Sequence, residues 1–430
     1  MILTQCACCA APLPHLAKQC SRCKTRYCGL ACQKQHWEEG GHDKLCKTIR
    51  KGGGAEQDHA DNKFKEAVAV AAEACAEDTK GQTCYICTEA LRWKTKEGLV
   101  RGCACRGTAG FAHVSCLAEQ AKILVAEVEE NNLDDVDWNA RWRRWDTCSL
   151  CEQDYHGVVA CALGWACRRT YVGRPEMDDC RCMAMTQLGN GLSAVDHQED
   201  AMAVREAELF MLRRLGASER NILVVQSNLA NTYDALGQSD ALPLRRDVYS
   251  GYLKLNGEEH GTTLVAASNY AASLVDQNRN EEAKPLLRKT KPATRRIHGD
   301  NNDLTLRIKS NYAWALYNAT GATLDDLREA VNALEDTERI ARRVLGGTHP
   351  VTSGIKCHLR ESRATLRARE ETASSDVSSL CEALGAMAPG DAQHGPCVSI
   401  LRLAVHRKSG HAVDAIRAIA NSQKPLPPPS

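Results

Sequence analysis

Between residues 84 and 151 seven cysteines and one histidine fall into four short pairs: Cys84-x2-Cys87, Cys103-x-Cys105, His113-x2-Cys116 and Cys148-x2-Cys151. Each pair can present two thiolate or imidazole ligands to one tetrahedral ion, so the eight make two closed sites. A closed site keeps no position for a metal-bound water, and the chemistry expected is structural zinc binding, not hydrolysis. Spacing alone leaves open whether consecutive or alternate pairs share an ion.

Order and spacing, with the run Gly102-Cys103-Ala104-Cys105-Arg106-Gly107 and the run Phe111-Ala112-His113-Val114-Ser115-Cys116-Leu117, resemble the RING-CH finger of a class of ubiquitin ligases. The resemblance implies cross-braced wiring, with Cys84, Cys87, His113 and Cys116 on one zinc and Cys103, Cys105, Cys148 and Cys151 on the other. It also implies a surface that docks a ubiquitin-conjugating enzyme, to which Ile86 would contribute. Two positions depart from the pattern: Gln120 stands where many such fingers carry tryptophan, and Glu152 where a basic residue follows the last ligand. A RING works by holding a thioester near a substrate lysine and needs no nucleophile of its own.

A second ligand set opens the chain: Cys6-x2-Cys9, Cys20-x2-Cys23, Cys28-x3-Cys32 and His42-x3-Cys46. The four-residue separations of the last two pairs suit helical turns. With Tyr27 before Cys28 and the run Cys32-Gln33-Lys34-Gln35-His36-Trp37, this resembles a MYND finger, a module that binds proline-containing peptides. The resemblance implies Cys6, Cys9, Cys28 and Cys32 on one zinc and Cys20, Cys23, His42 and Cys46 on another, four Zn2+ per chain in all. Cys8, His15 and His36 are read as bystanders.

With 430 residues, the chain has room for two to four domains, and a formal net charge of +1 argues against a general nucleic-acid or anionic-membrane binder. The 23 cysteines could form a disulfide framework, but the start Met1-Ile2-Leu3-Thr4-Gln5-Cys6 has no basic-then-apolar leader. An intracellular setting, cytoplasmic or nuclear, is expected, where thiols stay available to zinc. No apolar run reaches the length of a membrane span.

The elements that must hold these ligands are mostly helical. Lys51-Gly52-Gly53-Gly54 reads as flexible punctuation and Ala67 to Ala76 as a short helix holding an unpaired Cys75. Leu117, Ala121, Leu124, Val125 and Val128 form the stripe of an amphipathic helix packed on the central finger. A second helix is expected to carry Trp138, Trp142 and Trp145 on one face, where it could replace the missing docking tryptophan; its interleaved arginines are not read as a nucleic-acid platform. Val158 to Tyr171 reads as a buried helix. Cys161, Cys167, Cys180 and Cys182 lack knuckle spacing and are read as free thiols.

Beyond residue 200 the cysteines thin out and a period appears. Asn228-Leu229-Ala230, Asn269-Tyr270-Ala271 and Asn311-Tyr312-Ala313 are 41 and 42 residues apart, and Gly257, Gly299 and Gly346 are 42 and 47 apart. The larger interval places a five-residue insertion in the loop Asn318 to Asp326. Pro243 and Pro285 are expected in the first turn of each second helix. With Leu255-Asn256-Gly257-Glu258-Glu259-His260 between units, the pattern resembles the tetratricopeptide repeat of kinesin light chains, three units over about 221 to 345. Tyr233, Tyr252, Tyr270 and Tyr312 are assigned to helix packing, and Lys289, Lys291, Arg295 and Arg296 to a solvated helix face.

The expected fold is therefore multidomain, two small cross-braced zinc fingers followed by an all-α solenoid. Its segments are a MYND-type finger at 1–50, a linker with a short helix at 51–83, a RING-CH-type finger at 84–155, a helical connector at 156–200, the solenoid at 201–420 and a proline-rich tail at 421–430. The function expected is a soluble RING-CH-type ubiquitin ligase that gathers protein or peptide partners through its other modules. A non-catalytic interaction scaffold is the alternative. A methyltransferase is set aside because the chain has no SET-like segment.

Overall fold

The computed structural model describes residues 5–11, 13, 17–131, 134–347 and 349–386; the side chains of 135 and 376–386 are not described. Two compact units are present, Met1–Gly251 and Tyr252–Ser430. The first begins with the two-residue strands β1 (Lys18–Gln19) and β2 (Arg26–Tyr27), antiparallel, then α1 (Leu30–Glu38) and α2 (His42–Lys51). It continues through α3 (Ala55–Ala74), α4 (Val114–Asn131), α5 (Asp135–Trp142), a 3-10 turn (Arg143–Trp145), α6 (Gly157–Tyr171), α7 (Asp179–Ser193), α8 (Gln198–Arg214) and α9 (Glu219–Ala235). Helix α10 (Ala241–Asn256) contains the division, and α11 (Gly261–Asp276), α12 (Asn280–His298), α13 (Asp303–Tyr317), α14 (Leu324–Leu345) and α15 (Pro350–Ala386) belong to the second unit.

Helix α6 is the hub of the first unit. Ten of its fifteen residues are buried, and α3, α4 and α7 pack around it. Glycines let the crossing with α7 close: a Cβ on Gly164 would lie 3.1 Å from the Gln187 carbonyl oxygen, and one on Gly191 only 2.8 Å from that of Ala160. The segment expected to be a connector thus supplies the core against which the central finger folds. Buried Arg168 is paired at 3.3 Å with Glu56 of α3, which also takes Arg181 of α7 at 3.0 Å. Removing Glu56 would leave a buried guanidinium uncompensated.

Helix α3 is longer than the sequence predicts because its first half is polar, and its buried residues are Ala55, Ala60, Phe64, Val68 and Ala71. The glycine run before it is a tight turn, not a flexible joint. Gly53 and Gly54 have φ of 103° and 98°, the Gly54 amide donates to the Ile49 carbonyl at 2.9 Å, and the Ala55 amide to that of Cys23 at 2.8 Å. The tryptophans of α5 and of the 3-10 turn after it also differ from expectation. Trp138 stacks on Trp142 at 5.2 Å, and Trp142 and Trp145 pack on Tyr171 of α6 at 5.5 and 5.7 Å. Large rings beside an apolar helix are drawn inward, and Trp142 and Trp145 are buried, so these two cannot replace an exposed docking tryptophan.

In the repeats the period has a backbone cause. Gly257, Gly299 and Gly346 each follow the last residue of a helix and hold φ of 80°, 79° and 91°, a conformation that ends a helix at little cost only for glycine. Ala230, Ala271 and Ala313 are fully buried, and the Asn311 side chain donates to the Ser268 carbonyl one repeat earlier at 3.4 Å. The insertion is divided: residues 277–279 join α11 to α12 while 318–323 join α13 to α14, α14 has 22 residues against 19 for α12, and α13 is one residue shorter than α11, a net gain of five. Thr323 and Asp326 close a capping box at that new start. Pro243 lies in the first turn of α10, but Pro285 is the sixth residue of α12, because Asn280 starts that helix earlier than expected.

The basic run of α12 is largely neutralised. Lys289 pairs with Glu258 at 2.6 Å, Arg295 with Asp300 at 3.0 Å and Arg296 with Glu259, while Lys291 lies 4.2 Å over the Tyr312 ring. Tyr252 and Tyr312 are buried, as packing residues should be, and Tyr233 donates to Glu206 at 3.0 Å. Residues 387–420 of the expected array and the proline-rich tail lie outside the described residues.

Candidate metal centres

Four backbone turns of one design present the ligands. At Cys6, Cys20, Cys84 and Cys148 the carbonyl of the first cysteine accepts the amide four residues on, at 2.8 to 3.0 Å, and its own amide donates to the carbonyl five residues on, at 2.7 to 2.9 Å. The fourth residue after that cysteine is left-handed each time: Ala10 (57°), Lys24 (68°), Thr88 (63°) and Glu152 (55°). A fifth turn follows the same rule without thiols, Arg92 to Glu97 with Lys96 at 56°. The shape aims amides at the first sulfur, as where the Leu150 amide approaches Cys148 Sγ at 3.4 Å.

The tertiary fold brings the sixteen side chains into four quartets. Cys6, Cys9, Cys28 and Cys32 form one, Cys20, Cys23, His42 and Cys46 another, Cys84, Cys87, His113 and Cys116 a third, and Cys103, Cys105, Cys148 and Cys151 the fourth. Within each, all ligand atoms lie within 4.8 Å of one another, and in both fingers the pairs interleave along the chain. Sulfur separations of 3.7 Å for Cys9 and Cys28, 3.8 Å for Cys20 and Cys46 and 3.8 Å for Cys105 and Cys148 fit the edge of about 3.8 Å that a tetrahedron with 2.3 Å Zn–S bonds requires. The cysteines of all four quartets are free thiols, not cystines.

The histidines use different nitrogens. His113 turns Nδ1 toward Cys87 and Cys116 Sγ, at 3.4 and 3.6 Å, and His42 turns Nε2 toward Cys23 Sγ at 3.4 Å. His42 and Cys46 share one face of α2, but Cys28 precedes α1, so only Cys32 of that pair is helical. Outside the quartets, Cys8 donates to Gln35 at 3.4 Å and His36 Nδ1 meets the Tyr27 hydroxyl at 3.0 Å. Cys75 caps α3, and His15 is outside the described residues. Cys180 meets Glu129 at 3.3 Å, and among the described residues neither it nor Cys161, Cys167 or Cys182 joins a metal-ligand cluster.

Burial and hydrogen bonding push the pKa values of the thiols within the quartets apart. Burial would raise the Cys6 thiol, but the amides of Cys9, Cys28 and Cys8 prevail and hold it at about 6; Cys20 is held at about 6 in the same way by Cys23. Their neighbours move the other way. Cys46 is pushed up to about 11 and Cys116 to about 12, by burial first and then by the thiolates beside them. In the fourth quartet Cys103 rises to about 11 by burial, while for Cys151 burial is outweighed by the Gln153 amide together with hydrogen bonds from Cys105, Cys148 and Cys103, which bring it to about 7. Each quartet therefore sets thiols held low beside thiols held high, and a bound cation would favour the thiolate form of all of them.

Three features were not visible in the sequence. Arg92 Nη1 donates to Cys116 Sγ, and the Thr25 hydroxyl meets Cys23 Sγ at 3.0 Å, both supporting ligands from outside the quartet. The Tyr85 hydroxyl meets the Ser149 hydroxyl at 3.1 Å, which ties the first and last turns of the central finger together. Ile86 follows Tyr85 and Leu150 follows Ser149, and both stand out in solvent, 37% and 51% exposed. Only Ile86 carries a prior expectation; Leu150 had the same place in an equivalent pair as its signal.

A family model for the RING-variant domain matches residues 84–133, ending short of Cys148 and Cys151, and one for the tetratricopeptide repeat matches residues 263–303. No curated protein matches the chain. Among solved structures the chain is similar to a putative kinesin light chain from Podosopora anserina with nearly identical TPR-like repeats, at 18% identity, covering 54% of this chain and 97% of that one with a TM-score of 0.36. It is also similar to BtubC (BKLC) from P. vanneervenii, at 14% identity, covering 74% and 96% with a TM-score of 0.37. Among the described residues no helix is long and apolar enough to cross a membrane. The chain carries a RING-variant zinc-finger domain and a tetratricopeptide-repeat region.

Proposed function

We propose that the chain holds four zinc ions and acts as a ubiquitin ligase, its RING-variant finger recruiting a conjugating enzyme while the N-terminal MYND-type finger and the repeats gather protein or peptide partners. The observation that carries the reading is that Ile86 and Leu150 are both exposed, each next to one of the two residues, Tyr85 and Ser149, whose hydroxyls join the first and last turns of the finger. An exposed apolar pair on a metal-braced scaffold is a docking surface with little to gain from staying wet. With every ligand committed, the finger contributes position and not covalent chemistry.

Gln120 and Glu152 favour a second reading, a scaffold without transfer activity. Gln120 is half-buried on α4, and Glu152 occupies the left-handed position of its turn. The deciding experiment combines full-length zinc-loaded protein with ATP, activating enzyme, ubiquitin and a panel of conjugating enzymes. Ubiquitin chains that vanish with Ile86→Ala and weaken with Leu150→Ala support the ligase. Silence across the panel supports the scaffold.

A further inference from the structure

Beside the third quartet, and apart from the Ile86 surface, lies a cleft of about 1100 Å³ between α3, the turn at residues 92–98, the start of α4 and the end of α6. One wall is a stripe of α3 from Gln57 through Asp61, Phe64, Val68 and Ala72, which at 1.5 Å per residue runs about 22 Å. That length suits a peptide segment better than a compact small molecule. Gly98 brings the turn against this wall, since a Cβ there would lie 3.2 Å from Ala72 Cβ.

The charges of the cleft do not balance internally. Asp61 is taken by Arg169 at 2.7 Å, Glu119 by Lys122 at 3.4 Å, and buried Glu97 accepts from the Ser115 amide at 2.9 Å and from its hydroxyl. Arg92 is committed to Cys116. Lys65, Lys94 and Lys96 all line the cleft, are exposed, and have no ion-pair partner among the described residues. The edges of Phe64 and Val68 and the methyl groups of Ala69 and Ala118 supply apolar contact between them.

We infer that this cleft binds an acidic peptide segment carrying interspersed apolar residues, with Lys65, Lys94 and Lys96 as its carboxylate contacts. Flexible lysines meet carboxylates as point charges and set orientation, while the apolar strip between them excludes water. Nucleic acid fits less well. The aromatic face in the floor is covered by Arg169, 4.7 Å over the Phe64 ring, and Lys94 lies 4.9 Å over the exposed Trp93 ring next to it in the chain, so both rings already carry a cation where a base would stack. The inference does not depend on ubiquitin transfer.

The test is fluorescence anisotropy on the full-length zinc-loaded chain with a labelled peptide of about 16 residues that alternates Glu and Leu at helical spacing. Saturable binding is expected, weakened several-fold by raising salt from about 0.05 to 0.3 M. The variant K65E/K94E/K96E should bind at least tenfold more weakly while Lys289→Glu in the repeats changes nothing. Should the triple variant lose zinc, Lys65→Glu alone, on α3, should still weaken binding several-fold. The inference is overturned if the wild type shows no saturable binding, if the charge reversals leave affinity intact, or if a Gln-for-Glu peptide or a single-stranded oligonucleotide binds as well as the acidic peptide.

Discussion

Tyr85 and Ser149, 64 positions apart in the chain, meet through their hydroxyls at 3.1 Å, and each is the first residue inside a two-cysteine turn. This bond joins the two turns, and the apolar residue that follows in each, Ile86 and Leu150, is exposed. Tyr85→Phe should keep zinc content and cost about 0.5–1.5 kcal/mol of stability. It should lower conjugating-enzyme-dependent chain formation several-fold. Unchanged transfer in that variant would mean the turns need no tie.

Arg92 supports the third quartet from outside by donating to Cys116. Arg92→Ala should weaken one of the four sites about tenfold, read as a faster fraction of zinc release to a chromophoric chelator. Arg92→Lys should restore part of the loss. Four indistinguishable release phases in Arg92→Ala would show that the contact does not matter to the metal.

The α6–α7 crossing depends on glycine. Gly191→Ala places a Cβ against the backbone of Ala160, which cannot swing away, and should destabilise the first unit by about 1–3 kcal/mol in urea unfolding. Gly354→Ala is the contrast: a Cβ there meets nothing within 4 Å inside α15, and the change should stabilise that helix by up to about 1 kcal/mol.

Glu208 of α8 is fully enclosed, and burial raises its carboxyl to about 8, against the partial relief of a 2.7 Å hydrogen bond from Thr186 and the charges of Arg205 and Arg168. A carboxyl raised in the folded state favours folding fully below its ordinary range, and that contribution is lost as pH rises through about 8. Glu208→Gln keeps an acceptor for Thr186 and cannot ionise. The stability difference between variant and wild type should therefore grow in the variant's favour from about pH 6 to pH 8.5 in chemical denaturation. A flat difference would contradict the raised carboxyl.

The metal quartets and the repeat period were legible because each is fixed by a few residue types at set intervals. Thiol pairs need one turn, and Gly257, Gly299 and Gly346 mark helix ends that only glycine closes easily. What the intervals do not carry is tertiary packing. The first half of α3 looks like solvated chain until α6 covers Ala60 and Phe64, and Trp142 and Trp145 are indistinguishable in sequence from a docking surface until Tyr171 is seen against them. The turn at Arg92 shares its backbone with the four cysteine turns but not their cysteines, so no spacing rule could find it.

Zinc-edge X-ray absorption on the metal-quantified full-length chain tests the quartets most directly. Two sites offer four sulfurs and two offer three sulfurs with one nitrogen, so four zinc ions should average 3.5 sulfurs near 2.3 Å and 0.5 nitrogens. Two ions or fewer per chain, or a first shell dominated by oxygen and nitrogen, would contradict the proposed four-zinc arrangement.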